Sequence, residues 1–141
     1  MKQLRSVSII DLNKYSKTTL MGSLGIEFTR ATEEFLEATM PVDHRTHQPF
    51  GILHGGASVA LAETLGSVGA NLCIDPSESR CVGLEINANH ISSVSEGVVT
   101  GTAKPIHIGK STHVWEIRVV SDQGKLVCIS RITMAIVAAK K

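Results

Sequence analysis

The 141-residue sequence predicts an α+β domain in which a curved antiparallel β-sheet wraps around one long central α-helix. Three observations carry this. Residues from about His54 to Cys73 form a long run of apolar and small side chains, roughly 30 Å long as a helix. Their apolar character runs all round the helix, which predicts burial on most sides. Four alternating segments then follow one another, and consecutive hairpins imply an antiparallel sheet.

Taken in order, residues 10–23 read as one or two short helical turns, with Gly22 and Gly25 punctuating. Ile26–Ala31 and Phe35–Met40 alternate apolar with polar residues and read as strands, the second ended by Pro41. Asp43–Gly51 is a polar loop. Asp75-Pro76-Ser77 ends the long helix. The later strands are Arg80–Ser92, Val98–Ile108, Thr112–Ser121 and Lys125–Val137. Turns are expected at Ser95-Glu96-Gly97 and Asp122-Gln123-Gly124.

The length fits a single domain, residues 1–141, able to bury one core without disulfides or a metal. Fourteen basic and thirteen acidic side chains leave a net charge of +1, with no basic run to bind nucleic acid or a membrane surface. The most apolar window, 57–74, is interrupted by Glu63 and Asn71, which argues against a membrane span. Three scattered cysteines form neither a disulfide framework nor a metal knuckle, so a reducing, cytoplasmic setting is expected.

The helix itself carries the chemistry. It opens on His54-Gly55-Gly56, where glycines admit a close approach and the first N–H groups have no intrahelical partner. Such an end suits an anion or a developing oxyanion. Glu63 lies further along the same helix, and burying an ionised carboxylate without a partner is costly. Small neighbours (Gly56, Val59, Ala60) leave room beside it, and Ser67 shares its face one turn on. The alternative is a structural glutamate paired with an Arg or Lys from a strand, such as Arg131. Gly55 and Glu63 are eight residues apart, about 12 Å along the axis. One helix cannot bring both to one carbonyl, so a shared site requires two chains with antiparallel helices and two-fold symmetry.

The stretches EATMPVDHRTHQPFGILHGGASVALAETLGS, VGLEINANHIS and VWEIRVVSDQGKLVCISRIT resemble the hotdog-fold acyl-CoA thioesterases. Within them, the resemblance is to the bacterial 1,4-dihydroxy-2-naphthoyl-CoA branch of menaquinone biosynthesis and the enterobactin-pathway proofreading branch. It runs from about Leu24 to Val137. It implies Glu63 as nucleophile or general base and the Gly55 N–H as oxyanion donor. It implies Gln48 and His54 as groups that orient and polarise the thioester carbonyl, and Ser67 as a hydroxyl that holds the attacking water. Coenzyme A is implied to lie along His90, Ile91, Ser92 and Ser93, with Gly83 and the run His107, Ile108, Gly109, Lys110, Ser111, Thr112 completing the groove. Relatives often carry an arginine at the Ser92 position, so a phosphate contact is missing unless Lys110 supplies it. Coenzyme A is part of the substrate, no other cofactor is implied, and family members of this type are often tetramers.

Other chemistries fit less well. His44, His47 and His54 lack a strong metal-ligand spacing, and no metal site is expected. There is no G-x-S-x-G nucleophile. A non-catalytic acyl-CoA sensor on the same fold is the alternative function, but the carboxylate at Glu63 speaks for catalysis. A hotdog hydratase would need an Asp–His pair that this helix lacks.

Overall fold

The computed structural model describes residues 3–140. After two short helices, α1 (Ile9–Ser16) and α2 (Leu20–Ser23), come strands β1 (Glu27–Ala31) and β2 (Leu36–Pro41). Helix α3 (Gly55–Asn71) follows, then β3 (Ser79–His90), β4 (Val98–Ile108), β5 (Thr112–Ser121) and β6 (Leu126–Ala138). All six strands form one antiparallel sheet in the order β1-β2-β4-β5-β6-β3. Helix α3 packs against β2, β3, β4, β5 and β6, so the sheet wraps it as expected.

The strand partner of β3 corrects the sequence reading. Consecutive hairpins would set β3 beside β4 through Ser95–Gly97. Instead β3 lies at the sheet edge, paired with β6 from Ser79↔Ala138 to His90↔Cys128. The segment between β3 and β4 has work of its own that a tight turn would forbid. The Ile91 N–H donates to Val127 O at 2.8 Å, the Leu53 N–H to Val94 O at 2.7 Å, and the Val42 N–H to Gly97 O at 2.9 Å. It therefore ties β6, the helix approach and the end of β2 together. The other hairpins form as read: Gly124, at φ +78°, closes β5–β6 with its N–H on Ser121 O.

A second correction concerns burial. Ala57, Ser58, Leu61, Ala62, Leu65, Gly66, Gly69 and Ala70 are buried against the sheet. Gly56 and Glu63 are exposed, and Val59, Ala60 and Ser67 are half-buried. The sheet covers one side of the helix and leaves this small-residue strip open.

The contact between helix and sheet is close because small residues face large ones. A Cβ at Gly69 would come within 2.8 Å of the Trp115 ring, and one at Gly66 within 2.5 Å of Ile132. Trp115, Ile117 and Ile132 are fully buried beneath them. The C-terminal end of the helix is fastened twice. Arg5 donates its backbone N–H and Nε to Leu72 O, and Nη2 to Asn71 O at 3.1 Å, placing a cation on the carbonyls that a helix leaves unpaired. The Asn71 side chain accepts from Cys81 N at 2.8 Å and donates to Cys81 O, fixing the helix end to the start of β3.

Gly69→Ala forces a methyl into the Trp115 ring. The expected loss is about 1–3 kcal/mol of stability, read as a lower midpoint in denaturant unfolding. A neutral substitution would show that helix and sheet are looser than described.

Candidate active site

The loop before α3 is a chain of short turns that ends at the helix. Asp43 O accepts from the N–H groups of Thr46 and His47, each at 2.9 Å. The Asp43 carboxylate accepts the Arg45 N–H at 2.9 Å and its guanidinium at 2.7 Å. The Arg45 guanidinium, aided by that N–H, holds the Asp43 carboxyl well below the usual carboxylate range. Buried Thr46 donates its hydroxyl to Pro41 O at 2.7 Å, and its carbonyl accepts the His54 N–H at 2.8 Å. The loop is thereby strung between the end of β2 and the start of α3.

Gln48 occupies the next turn, which Gly51 permits with φ +76°. The Gln48 Oε1 accepts the Phe50 N–H. The atom that accepts there must be the oxygen, so the amide NH₂ keeps its donors for a ligand.

His54 is the N-cap of α3, and its Nδ1 accepts the Gly56 N–H at 2.7 Å. The neutral ring therefore carries its proton on Nε2. The His54 carbonyl accepts from Ala57 and Ser58. That leaves the Gly55 N–H, at the positive end of the helix, without a protein acceptor among the described residues. A Cβ at Gly55 would come within 2.8 Å of His90 Nε2, so only glycine lets His90 close over the helix start.

Gln48, Gly55, His90, Ile91, Ser92 and Ser93 meet in one cleft of about 300 Å³. Ser58 and Val127 also line it, and neither was visible beforehand. Ser58 lies one turn past Gly55, a spacing that could have found it. Val127 arrives only because β3 pairs with β6. The Ser92 hydroxyl donates to Leu126 O, so it holds the crossing segment to the sheet. His54 instead lines a second groove of about 310 Å³, with Gly56, Ala57, Ala60, Leu20 and Leu24.

Glu63 stands elsewhere. It is exposed, and its Oε1 lies 3.1 Å from where a Cβ on Gly83 would sit. β3 bulges between Gly83 and Glu85, so the missing side chain and the bulge together make room for the carboxylate. Among the described residues no cation pairs with Glu63, and the expected alternative partner Arg131 sits opposite Asn87 on β6. Ser67, one turn further, is half-buried and no hydrogen bond joins it to Glu63 among the described residues.

His107–Thr112 forms the β4–β5 hairpin, with the Gly109 N–H on Thr112 O at 2.9 Å. Lys110 and Ser111 are exposed there, and Ile108 is half-buried. This hairpin is at the far end of the sheet from His90. Thr112 pairs with Ala135 of β6, whereas His90 pairs with Cys128. Within one chain, then, the two expected coenzyme A stretches do not share a groove. The three loop histidines also part company: His44 sits 3.9 Å from Asp43, the His47 ring meets Ser95 O at 2.9 Å, and His54 caps α3.

A six-stranded antiparallel sheet around one helix, with donors gathered at the helix start, defines the hotdog thioesterase fold. Residues 50–128 match the thioesterase superfamily. The chain is 50% identical over 132 residues to the 1,4-dihydroxy-2-naphthoyl-CoA hydrolase of Escherichia coli K12, covering 94% of this chain and 96% of that one. A mutant thioesterase from Pseudomonas aeruginosa, solved with a glutamine changed to alanine, superposes with a TM-score of 0.96 at 50% identity, covering 99% of this chain and 100% of that one. A Staphylococcus aureus thioesterase has been solved with a glutamate changed to alanine and with a glutamine changed to alanine. Those structures superpose with TM-scores of 0.83 and 0.81 at 43% and 44% identity, covering 86% and 83% of this chain and 100% and 97% of theirs. The chain belongs to the thioesterase superfamily and is a thioester hydrolase.

The Asp43 carboxyl is held down in the folded chain, so its contribution to stability is present above the ordinary carboxylate value of 3.8 and fades as pH falls below it. Asp43→Asn is expected to lower the urea midpoint at pH 7, with the gap to the unmodified chain narrowing by about pH 3. A gap of equal size at both pH values would show that the carboxylate charge is not what orders the loop.

Proposed function

We propose that this chain hydrolyses acyl-CoA thioesters, aromatic or medium-chain, to the free acid and coenzyme A, in a two-fold dimer whose sites each draw on both chains. One observation carries the reading. Among the described residues, Glu63 is a carboxylate without a cation, and the Gln48–Gly55–His90 cleft is a set of donors without a carboxylate. The two halves lie eight residues apart on one stiff helix, about 12 Å along its axis. Two antiparallel copies of α3 set the start of one against the middle of the other. The open small-residue strip of α3 suits such an approach. So does the twelve-residue edge strand β3, which leaves Val82 41% and Leu84 62% exposed. Pairing of two such dimers into a tetramer belongs to the same proposal.

In this site the thioester oxygen accepts from the Gly55 N–H and the Gln48 amide, which stabilise the charge that develops on it. Glu63 of the partner subunit either attacks the carbonyl carbon, forming an anhydride that water then opens, or takes a proton from a water that attacks. In both routes the C–S bond breaks and the electron pair leaves with coenzyme A sulfur, a good leaving group that needs no strong acid. The His107–Thr112 hairpin joins the cleft only from the partner chain, which brings Lys110 to serve as the phosphate contact absent at Ser92. Coenzyme A enters with the substrate and no cofactor is required. The setting we propose is the cytoplasm, where the buried cysteines stay reduced. The name of the Escherichia coli relative favours an aromatic acyl group. The mutated glutamine and glutamate of the Staphylococcus aureus thioesterase stand as far apart in its chain as Gln48 and Glu63 do here, which supports these two as the working pair.

Thiol release from a panel of acyl-CoA substrates tests the reaction, and silence across the panel would favour a non-catalytic acyl-CoA sensor. Glu63→Gln keeps the shape and removes the charge, and is expected to abolish release. Full activity in that variant would exclude Glu63 as the working carboxylate. Sharing of sites is tested by mixing Glu63→Gln chains with Gly55→Ala chains, whose new methyl meets His90. Random reassortment gives one intact site in each mixed dimer, so activity should recover to roughly one quarter of the unmodified level. No recovery in proven mixed dimers would place each site within one chain.

A further inference from the structure

Five hydroxyl-bearing side chains are buried among the described residues, and four of them are spent within the fold. Ser16 donates to Leu12 O at 2.7 Å, Thr46 to Pro41 O at 2.7 Å and Ser130 to Asn87 O at 2.8 Å. The Ser121 oxygen accepts the Lys125 N–H at 3.2 Å. The fifth is Ser58, only 1% exposed, whose hydroxyl has no hydrogen-bond partner among the described residues. A helical serine often turns to the carbonyl four residues back, as Ser16 does on α1 and Ser23 on α2. For Ser58 that carbonyl belongs to His54, and it already accepts the Ala57 and Ser58 N–H groups. A buried hydroxyl without a partner is costly, so a position that keeps one needs a reason.

Its place supplies one. Ser58 lines the donor cleft, one turn past Gly55 on the same face of α3. A helical side chain leans toward the N-terminus of its helix, so the hydroxyl leans toward the turn that carries the Gly55 N–H. We infer that the Ser58 hydroxyl is a third donor to the oxygen of the tetrahedral intermediate, and that it engages only once that intermediate forms. The inference rests on the thioesterase reading above. A planar thioester oxygen offers two lone pairs, which the Gly55 N–H and the Gln48 amide fill in the proposed site. When the nucleophile adds to the carbonyl carbon, the π pair moves onto oxygen, which then holds three lone pairs and a negative charge. A hydroxyl rotates about its C–O bond, so Ser58 meets the third pair without moving the backbone. When the C–S bond breaks, the pair returns to the carbonyl and the hydroxyl is released. An interaction made in the transition state and not in the ground state raises kcat and leaves substrate affinity alone.

Ser58→Ala and Ser58→Cys test this, the second filling nearly the same space with a weak S–H donor. Turnover of benzoyl-CoA is followed by loss of the thioester's ultraviolet absorbance, so no thiol reagent meets the cysteines. Ser58→Ala is expected to lower kcat about tenfold or more with KM within about twofold, and Ser58→Cys to fall between it and the unmodified chain. Because the hydroxyl bonds to nothing in the free chain, Ser58→Ala should melt at the same temperature or higher. Equal kcat in all three proteins would reduce Ser58 to a packing residue and overturn the inference. A raised KM at constant kcat would place the hydroxyl on bound substrate rather than on the intermediate, and would overturn it too. A lower melting temperature in Ser58→Ala would show that the hydroxyl has a partner in the fold, with the same consequence. Each of these leaves the thioesterase reading intact, whereas an unmodified chain that turns over no acyl-CoA would end both.

Discussion

The stiffness of α3 sets everything else in this molecule. Seventeen residues of one helix carry, among the described residues, an N–H without a protein acceptor at one end and a carboxylate without a cation near the middle. A helix cannot fold back to join them, and neither group is comfortable alone. The unspent donor keeps its partial positive charge, and an ionised carboxylate resists any burial that brings no partner. The sheet answers by wrapping only one side of the helix. It buries the Leu61, Leu65 and Gly69 face and leaves the strip around Glu63 to water. The closeness of that wrapping rests on glycine facing Trp115 and Ile132, so the helix is both tightly gripped and only half covered.

Two irregular segments complete the helix start. The loop from Asp43 to His54 hangs on Thr46, which reaches back to β2 and forward to the N-cap. The crossing from His90 to Gly97 brings an imidazole over Gly55 and hydrogen-bonds to both β6 and the loop before the helix. Regular elements supply position, and these segments supply the donors. The Gln48 amide illustrates the division: one hydrogen bond from the Phe50 N–H fixes which end of the side chain faces outward, and so turns an ambiguous amide into a directed donor.

Much of this was legible in the residues. The long helix, the strand boundaries to within two residues, and the presence of a glycine-rich start and a later glutamate on one helix all follow from spacing and composition. So does the separation of about 12 Å between those two groups along the helix. The strand order was not legible. Hairpin logic joins neighbours in sequence, and nothing in Ser95-Glu96-Gly97 says that its backbone carbonyls are committed to Val42 and the His47 ring instead. Because β6 was not expected beside β3, Val127 could not be foreseen in the cleft. The placement of Gly83 beside Glu63 was hidden for a similar reason: a bulge in β3 shifts the register there, and periodicity cannot reveal a bulge. Nor does the sequence show that the Nδ1 of His54 caps the helix that His54 opens.

The pairing of β3 with β6 has a consequence for how the chain is made. Strand β3 ends at His90, and its partner begins only at Leu126, so during synthesis a long edge strand waits for the last strand to emerge. Closing contacts this distant in sequence is slow, and the unpaired strand is open to wrong partners meanwhile. The cleft at the helix start, lined from both His90 and Val127, therefore comes into being late. A growing chain lacks this cleft until the same late strand that closes the sheet also completes its lining.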